Sequence, residues 1–107
     1  MDHWIEAAAV GDLTTNPIHP FEYNGTSLIV VKSNDEYFAL ENLCTHDYTP
    51  LDDGAIEDDE IVCAHHGARF CVRDGTVTAP PAYEDLRTFP VKVESERIFV
   101  CVDTLDS

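Results

Sequence analysis

The chain has 107 residues, with 21 acidic against six basic side chains and a formal net charge of −15, so it is the size of one ordinary domain and long enough to bury a modest core. A field this negative repels nucleic-acid phosphates and anionic lipid headgroups, which excludes both as partners, while it steers basic protein surfaces into contact. Solubility, or adaptation to a salty cytoplasm, accounts for the same acidity equally well.

No window approaches the roughly 18 apolar residues of a membrane span. The start, MDHWIEAAAV, has neither the basic residues nor the long apolar run of a secretory leader. These features predict a soluble cytoplasmic monomer with a single domain over 1–107.

In chain order, WIEAAAV (4–10) reads as an edge strand or a short helical piece, because three alanines leave both open. TSLIVVK (26–32) is apolar and β-branched, SND (33–35) supplies turn residues, and EYFALE (36–41) resumes the strand, which together predict a hairpin. Near the end, RTFPVKVE (87–94) alternates through Phe89, Val91 and Val93, Ser95 and Glu96 turn the chain, and RIFVCVD (97–103) returns along it. Between these hairpins, from Asn42 to about Tyr83, strands shorten, glycines recur at 54, 67 and 75, and Cys and His cluster. The expectation is an all-β fold, an antiparallel sandwich or barrel built from the flanking strands, with a loop-rich lobe inserted over about 42–83.

The chemistry-bearing residues come as two mixed pairs. CTHDYTP (44–50) holds Cys44 and His46, and CAHHGARF (63–70) holds Cys63 and His66 after sixteen intervening residues. Two thiols and two imidazoles suit a zinc ion, an iron–sulfur cluster or a thiol active site. The usual zinc finger groups two Cys before two His on a helix, whereas here the types alternate and no helix follows. A Cys nucleophile lacks the oxyanion-hole glycine run and a third orienting residue. Cys71 and Cys101 sit in apolar stretches and read as buried structural thiols, and His3 and His19 as surface residues.

The spacing C-x-H, sixteen residues, C-x-x-H-G resembles the ligand signature of Rieske [2Fe-2S] proteins, in which two His replace two Cys on one iron. The resemblance implies that Cys44 and Cys63 hold the inner iron and His46 and His66 the outer one. It extends to ENLCTH (41–46), Gly54, GARF (67–70), an APP segment (79–81) matching the family's proline-bearing loop, and LRTFPVKV (86–93). The family spacing selects His66, which precedes Gly67, and leaves His65 at the rim. Respiratory members carry an extra Cys in each loop and a Ser and a Tyr that bond the cluster. The matching positions here are Thr49, His65, Ala68 and Phe70, so the chain resembles the low-potential ferredoxins instead.

The implied role is that of a ferredoxin component of an aromatic-ring dioxygenase system, an electron carrier and not itself an enzyme. Its implied partners are an NAD(P)H-dependent flavin reductase and a terminal Rieske oxygenase. The alternatives are the small subunit of an assimilatory nitrite reductase and a zinc-stabilised interaction module. The expected docking rim is Asp47, Tyr48, Pro50, Leu51, His65, Ala68, Pro80 and Pro81, largely apolar, with Asp52, Asp53 and the acidic run 57–60 outside it.

Overall fold

The run Leu28–Val31 is apolar without alternation, and the structure shows why: all four side chains are fully buried, but on two opposite faces. Leu28 and Val30 enter one core with Ala39, Phe89, Ile98, Val100 and Val102. Ile29 and Val31 enter a second core with Leu40, Leu51, Ile61 and Phe70. A half-exposed strand would have to alternate, whereas a strand covered on both faces need not. Burying each of these side chains stabilises the fold by roughly 1.5–3 kcal/mol relative to exposure.

This computed structural model describes residues 3–45, 48–65, 67–80 and 82–105. Among them, three antiparallel sheets form. The first is ordered β1 (Trp4–Ala9), β11 (Arg97–Cys101), β10 (Val91–Glu94). The second is β2 (Ile18–Tyr23), β3 (Thr26–Ser33), β4 (Glu36–Glu41), β9 (Thr88–Phe89). The third is β5 (Ala55–Glu57), β6 (Glu60–Val62), β7 (Arg69–Cys71), β8 (Val77–Ala79). The second sheet is the middle layer, with the first sheet across one face and the third sheet with its loops across the other. The all-β expectation holds, with short 3-10 turns at Val10–Leu13 and Asp103–Leu105.

Four hairpins close through two-residue turns with positive φ at both central positions: Asn24–Gly25, Asn34–Asp35, Asp58–Asp59 and Ser95–Glu96. Such turns match the right-handed twist of the strands they join. WIEAAAV resolves as strand β1. The strand β2 lies outside the sequence-based expectation, although Asn24–Gly25 is its turn signal. The single strand expected over 87–94 is two: β9 pairs with β4, β10 pairs with β11, and Pro90 stands at the change of sheet. Proline has no N–H for a ladder, so a change of partner falls naturally there.

A cluster of hydrogen bonds centred on Asp59 ties the third sheet to the middle layer. Asp59 accepts hydrogen bonds from Ser33 Oγ (2.6 Å), Asn34 Nδ2 (2.8 Å) and Arg73 Nε (2.9 Å), and Arg73 also reaches Glu36. The Ser33 hydroxyl first and the Arg73 guanidinium second hold the Asp59 carboxyl below its ordinary value of 3.8. A depressed folded pKa contributes stability that is present above the unfolded value and lost as pH falls through the folded one. Asp59→Asn keeps a residue tolerant of left-handed φ and removes this contribution. Denaturation midpoints should therefore fall less between pH 7 and pH 3 in Asp59→Asn than in the parent protein; equal falls would show that Asp59 does not fasten the lobe.

Candidate metal centre

The two cysteine loops share one backbone construction. Cys44 N–H donates to the Thr49 carbonyl (2.7 Å) and the Cys44 carbonyl accepts from Tyr48 N–H (2.7 Å). Cys63 N–H donates to the Ala68 carbonyl (2.8 Å) and its carbonyl accepts from Gly67 N–H (3.1 Å). In each, the fourth residue after the cysteine takes a left-handed backbone, φ 61° at Tyr48 and 73° at Gly67. Glycine does this without strain, whereas a tyrosine pays on the order of 1 kcal/mol. The second loop links β6 to β7, and the first leaves β4.

Polar bonds outside the loops fix the first one. Asn42 is buried; its Oδ1 accepts from Leu51 N–H (2.7 Å) and its Nδ2 donates to Ser27 Oγ (3.0 Å), tying both ends of the loop to β3. Thr45 Oγ1 donates to the Glu84 carbonyl (2.7 Å). At Gly54 the backbone lies against β6 so closely that an added Cβ would stand 2.1 Å from the Val62 carbonyl oxygen. That contact brings the stretch after the first loop against the strand that leads into Cys63.

The loops carry Cys44 and Cys63 into one core, 0% and 2% exposed, with Leu51, Ala68 and Phe70 around them. None of the four cysteines is joined to another by a disulfide. His46 and His66 lie outside the described residues, as do Asp47 and Pro81. Among the described residues no three His, Cys, Asp or Glu side chains converge. The two thiols are therefore the described half of the expected set. Soft sulfur donors buried at the start of twin loops fit an iron–sulfur group, since each loop opens with a thiol and has an imidazole two or three residues on.

His65 is exposed and turned outward, its Nε2 3.6 Å from Asp53 Oδ2. Cys101 is buried as expected, whereas Cys71 is half-buried. Cys71 begins a third loop closed in the same manner, by Thr76 and Gly75, but that loop joins β7 to β8. Successive hairpin connections lie at opposite ends of an antiparallel sheet, so Cys71 sits away from Cys63. The docking rim requires correction. Leu51 and Ala68 are fully buried core residues, while Pro50 and Pro80 are exposed and Tyr48 is 71% exposed. Tyr83, 84% exposed, belongs to the surface of this lobe; no motif marks it in sequence.

Residues 3–90 match the family model described as the Rieske [2Fe-2S] domain. The ferredoxin component of the naphthalene 1,2-dioxygenase/salicylate 5-hydroxylase systems of Ralstonia sp is 34% identical over 98 residues, spanning 92% of this chain and 94% of the relative. The biphenyl 2,3-dioxygenase ferredoxin component of Rhodococcus jostii (strain RHA1) is 39% identical over 90 residues, 84% of each. Among solved structures, a complex of reduced oxygenase and oxidized ferredoxin in carbazole 1,9a-dioxygenase contains a chain similar at a TM-score of 0.85 and 29% identity, covering 92% of both. Twin loops with buried thiols, the layered β architecture and a match over most of the length agree, and the chain belongs to the Rieske [2Fe-2S] domain family.

Proposed function

We propose that this chain is a one-electron carrier, receiving electrons from an NAD(P)H-dependent flavin reductase and handing them to a terminal ring-hydroxylating oxygenase. Cys44, His46, Cys63 and His66 would hold its [2Fe-2S] group. When bound, that group supplies a reversible one-electron couple. The protein keeps water from the two thiols, holds both loops through Asn42 and Thr45, and presents the lobe surface to partners. We read it as monomeric and cytoplasmic; no helix among the described residues is long and apolar enough to cross a membrane.

The observation that carries this reading is the pair of identically closed loops delivering Cys44 and Cys63 into one buried core. Relatives named as ferredoxin components of dioxygenase systems, matched over nearly their whole length, support the choice of pathway. The test is anaerobic reconstitution with iron and sulfide followed by reductive titration. One electron per chain and a Rieske-type electron paramagnetic resonance signal are expected; uptake of zinc with no redox-active band would overturn the reading.

The residues beside the loops also set an expectation for potential. Ala68 and Phe70 are fully buried and have no hydroxyl to donate, and Thr49 and His65 cannot form the bridging disulfide of the respiratory class. Hydrogen bonds to the sulfurs raise a cluster's potential, so the lack of these two hydroxyl donors lowers it. The midpoint should lie near the negative end of the Rieske range, about −150 mV rather than about +300 mV. A clearly positive midpoint in voltammetry at neutral pH would contradict this.

A further inference from the structure

Two aromatic side chains stand out of the lobe, Tyr48 at 71% and Tyr83 at 84% exposure. Tyr48 lies in the first cysteine loop and Tyr83 in the segment leading to Leu86. The Thr45–Glu84 hydrogen bond pins these segments together. Beside Tyr83 lies a hollow of about 320 Å³ lined by Val77, Thr78, Ala79, Pro80, Ala82 and Tyr83. Its walls are built. One is β8, the outer strand of the third sheet. The other is held by Val77 N–H donating to Asp85 Oδ1 (2.9 Å) and Leu86 N–H donating to the Gly75 carbonyl (2.8 Å).

The surroundings are net acidic: Arg69, across the ladder from Ala79, is paired with both Glu57 and Glu60. Neither 42–68 nor 74–86 contains a lysine or arginine, while Glu84 and Asp85 are exposed next to Tyr83 and Asp53 is exposed beyond the first loop. An apolar hollow with a protruding aromatic at its edge, ringed by negative charge, is complementary to a basic face with an apolar centre.

We infer that the Tyr83 hollow is a docking subsite for a redox partner protein whose contact face carries an aliphatic side chain surrounded by lysine or arginine. The inference rests on the electron-carrier reading. Rigidly held aromatic anchors beside a pocket carry a disproportionate share of interface energy, whereas the charges around them act mainly on encounter. The subsite adjoins the first cysteine loop through the Thr45–Glu84 bond, so a partner seated there approaches the carrier's redox group. Such encounters are small and weak, which leaves one anchor able to dominate them.

The test uses the reconstituted holoprotein, chemically reduced, mixed in a stopped flow with oxidised mitochondrial cytochrome c, a basic protein with an exposed haem edge. The bimolecular rate should fall as salt rises and should drop about tenfold in Tyr83→Ser, the loss that corresponds to one anchor. Val93→Ser, at a 45% exposed apolar residue on β10 in the first sheet, should keep the parent rate. Visible spectrum and midpoint should be the same in all three proteins. A Tyr83→Ser rate within twofold of the parent, or an equal loss in Val93→Ser, overturns the subsite. A parent holoprotein that carries its cluster yet reduces cytochrome c at no measurable rate overturns the carrier reading itself.

Discussion

Alanine at Cys44 or Cys63 is expected to abolish the Rieske electron paramagnetic resonance signal outright, and alanine at His46 or His66 to do the same, while His65→Ala leaves it intact. Both thiols are buried in one core, so no solvent ligand can readily replace a missing sulfur. Exchanging a thiol for a methyl opens only a small apolar gap, on the order of 1 kcal/mol, so the base of the fold should survive the loss of its metal. Far-ultraviolet circular dichroism separates the two effects: the strand signal should persist where the resonance signal vanishes. His65 is the internal control, because it neighbours His66 in sequence yet faces Asp53. A signal kept in His66→Ala and lost in His65→Ala would reverse the assignment of the second loop.

Gly75→Ala should be the most destabilising of the glycine-to-alanine changes, by about 3 kcal/mol. Two costs coincide there. The residue has φ 79°, and a Cβ would stand 2.2 Å from the Leu86 carbonyl oxygen, a backbone atom that cannot rotate away. Left-handed strain costs about 1–2 kcal/mol and forced overpacking a further 1–3 kcal/mol. For a domain of this size that corresponds to a fall in Tm of roughly 10–20 °C. Gly67→Ala carries the strain without the collision, since no atom of the described residues lies within 4 Å of its added Cβ, and should lose only about 1 kcal/mol. Gly11→Ala meets neither and should be close to neutral. Thermal unfolding of the three variants checks the order, and Gly75→Ala melting with Gly67→Ala would mean that the Leu86 segment moves aside.

The parts of the fold legible in sequence are those whose cause is local in the chain. The hairpin of β3 and β4 follows from an apolar run, a turn and a second run, and the hairpin of β10 and β11 from alternation around Ser95–Glu96. The twin Cys/His pairs are legible for a different reason: few chemistries demand that set of donors at that spacing. What depends on distant packing is not legible. The break at Pro90 reflects competition between β4 and β11 for one stretch of chain. Leu51 and Ala68 follow each cysteine loop closely and so suggest the rim, but the third sheet folds over them and makes them core. Tyr83 is followed by Glu84 and Asp85, a signal of exposure that the sequence-based expectation of the rim left unused. The segment that carries it is held by the bonds of Leu86 to Gly75 and of Asp85 to Val77 in β8, contacts distant in sequence.

The strand β3, with adjacent side chains committed to opposite cores, is shared by the packing of the lobe and the packing of the base. Ile29 belongs to the packing that encloses the cysteines and Val30 to the packing of the base, and one peptide bond separates them. A tilt of the lobe against the middle layer would have to shear the packing of Ile29, Val31 and Leu40 against Leu51, Ile61 and Phe70. The protein should therefore tumble and unfold as one body, with a single cooperative transition reported alike by strand signal and by cluster colour. For a carrier that must give up an electron within a brief encounter, such stiffness would hold the surroundings of Cys44 and Cys63 in place, so that little energy would be spent rearranging the protein at each transfer.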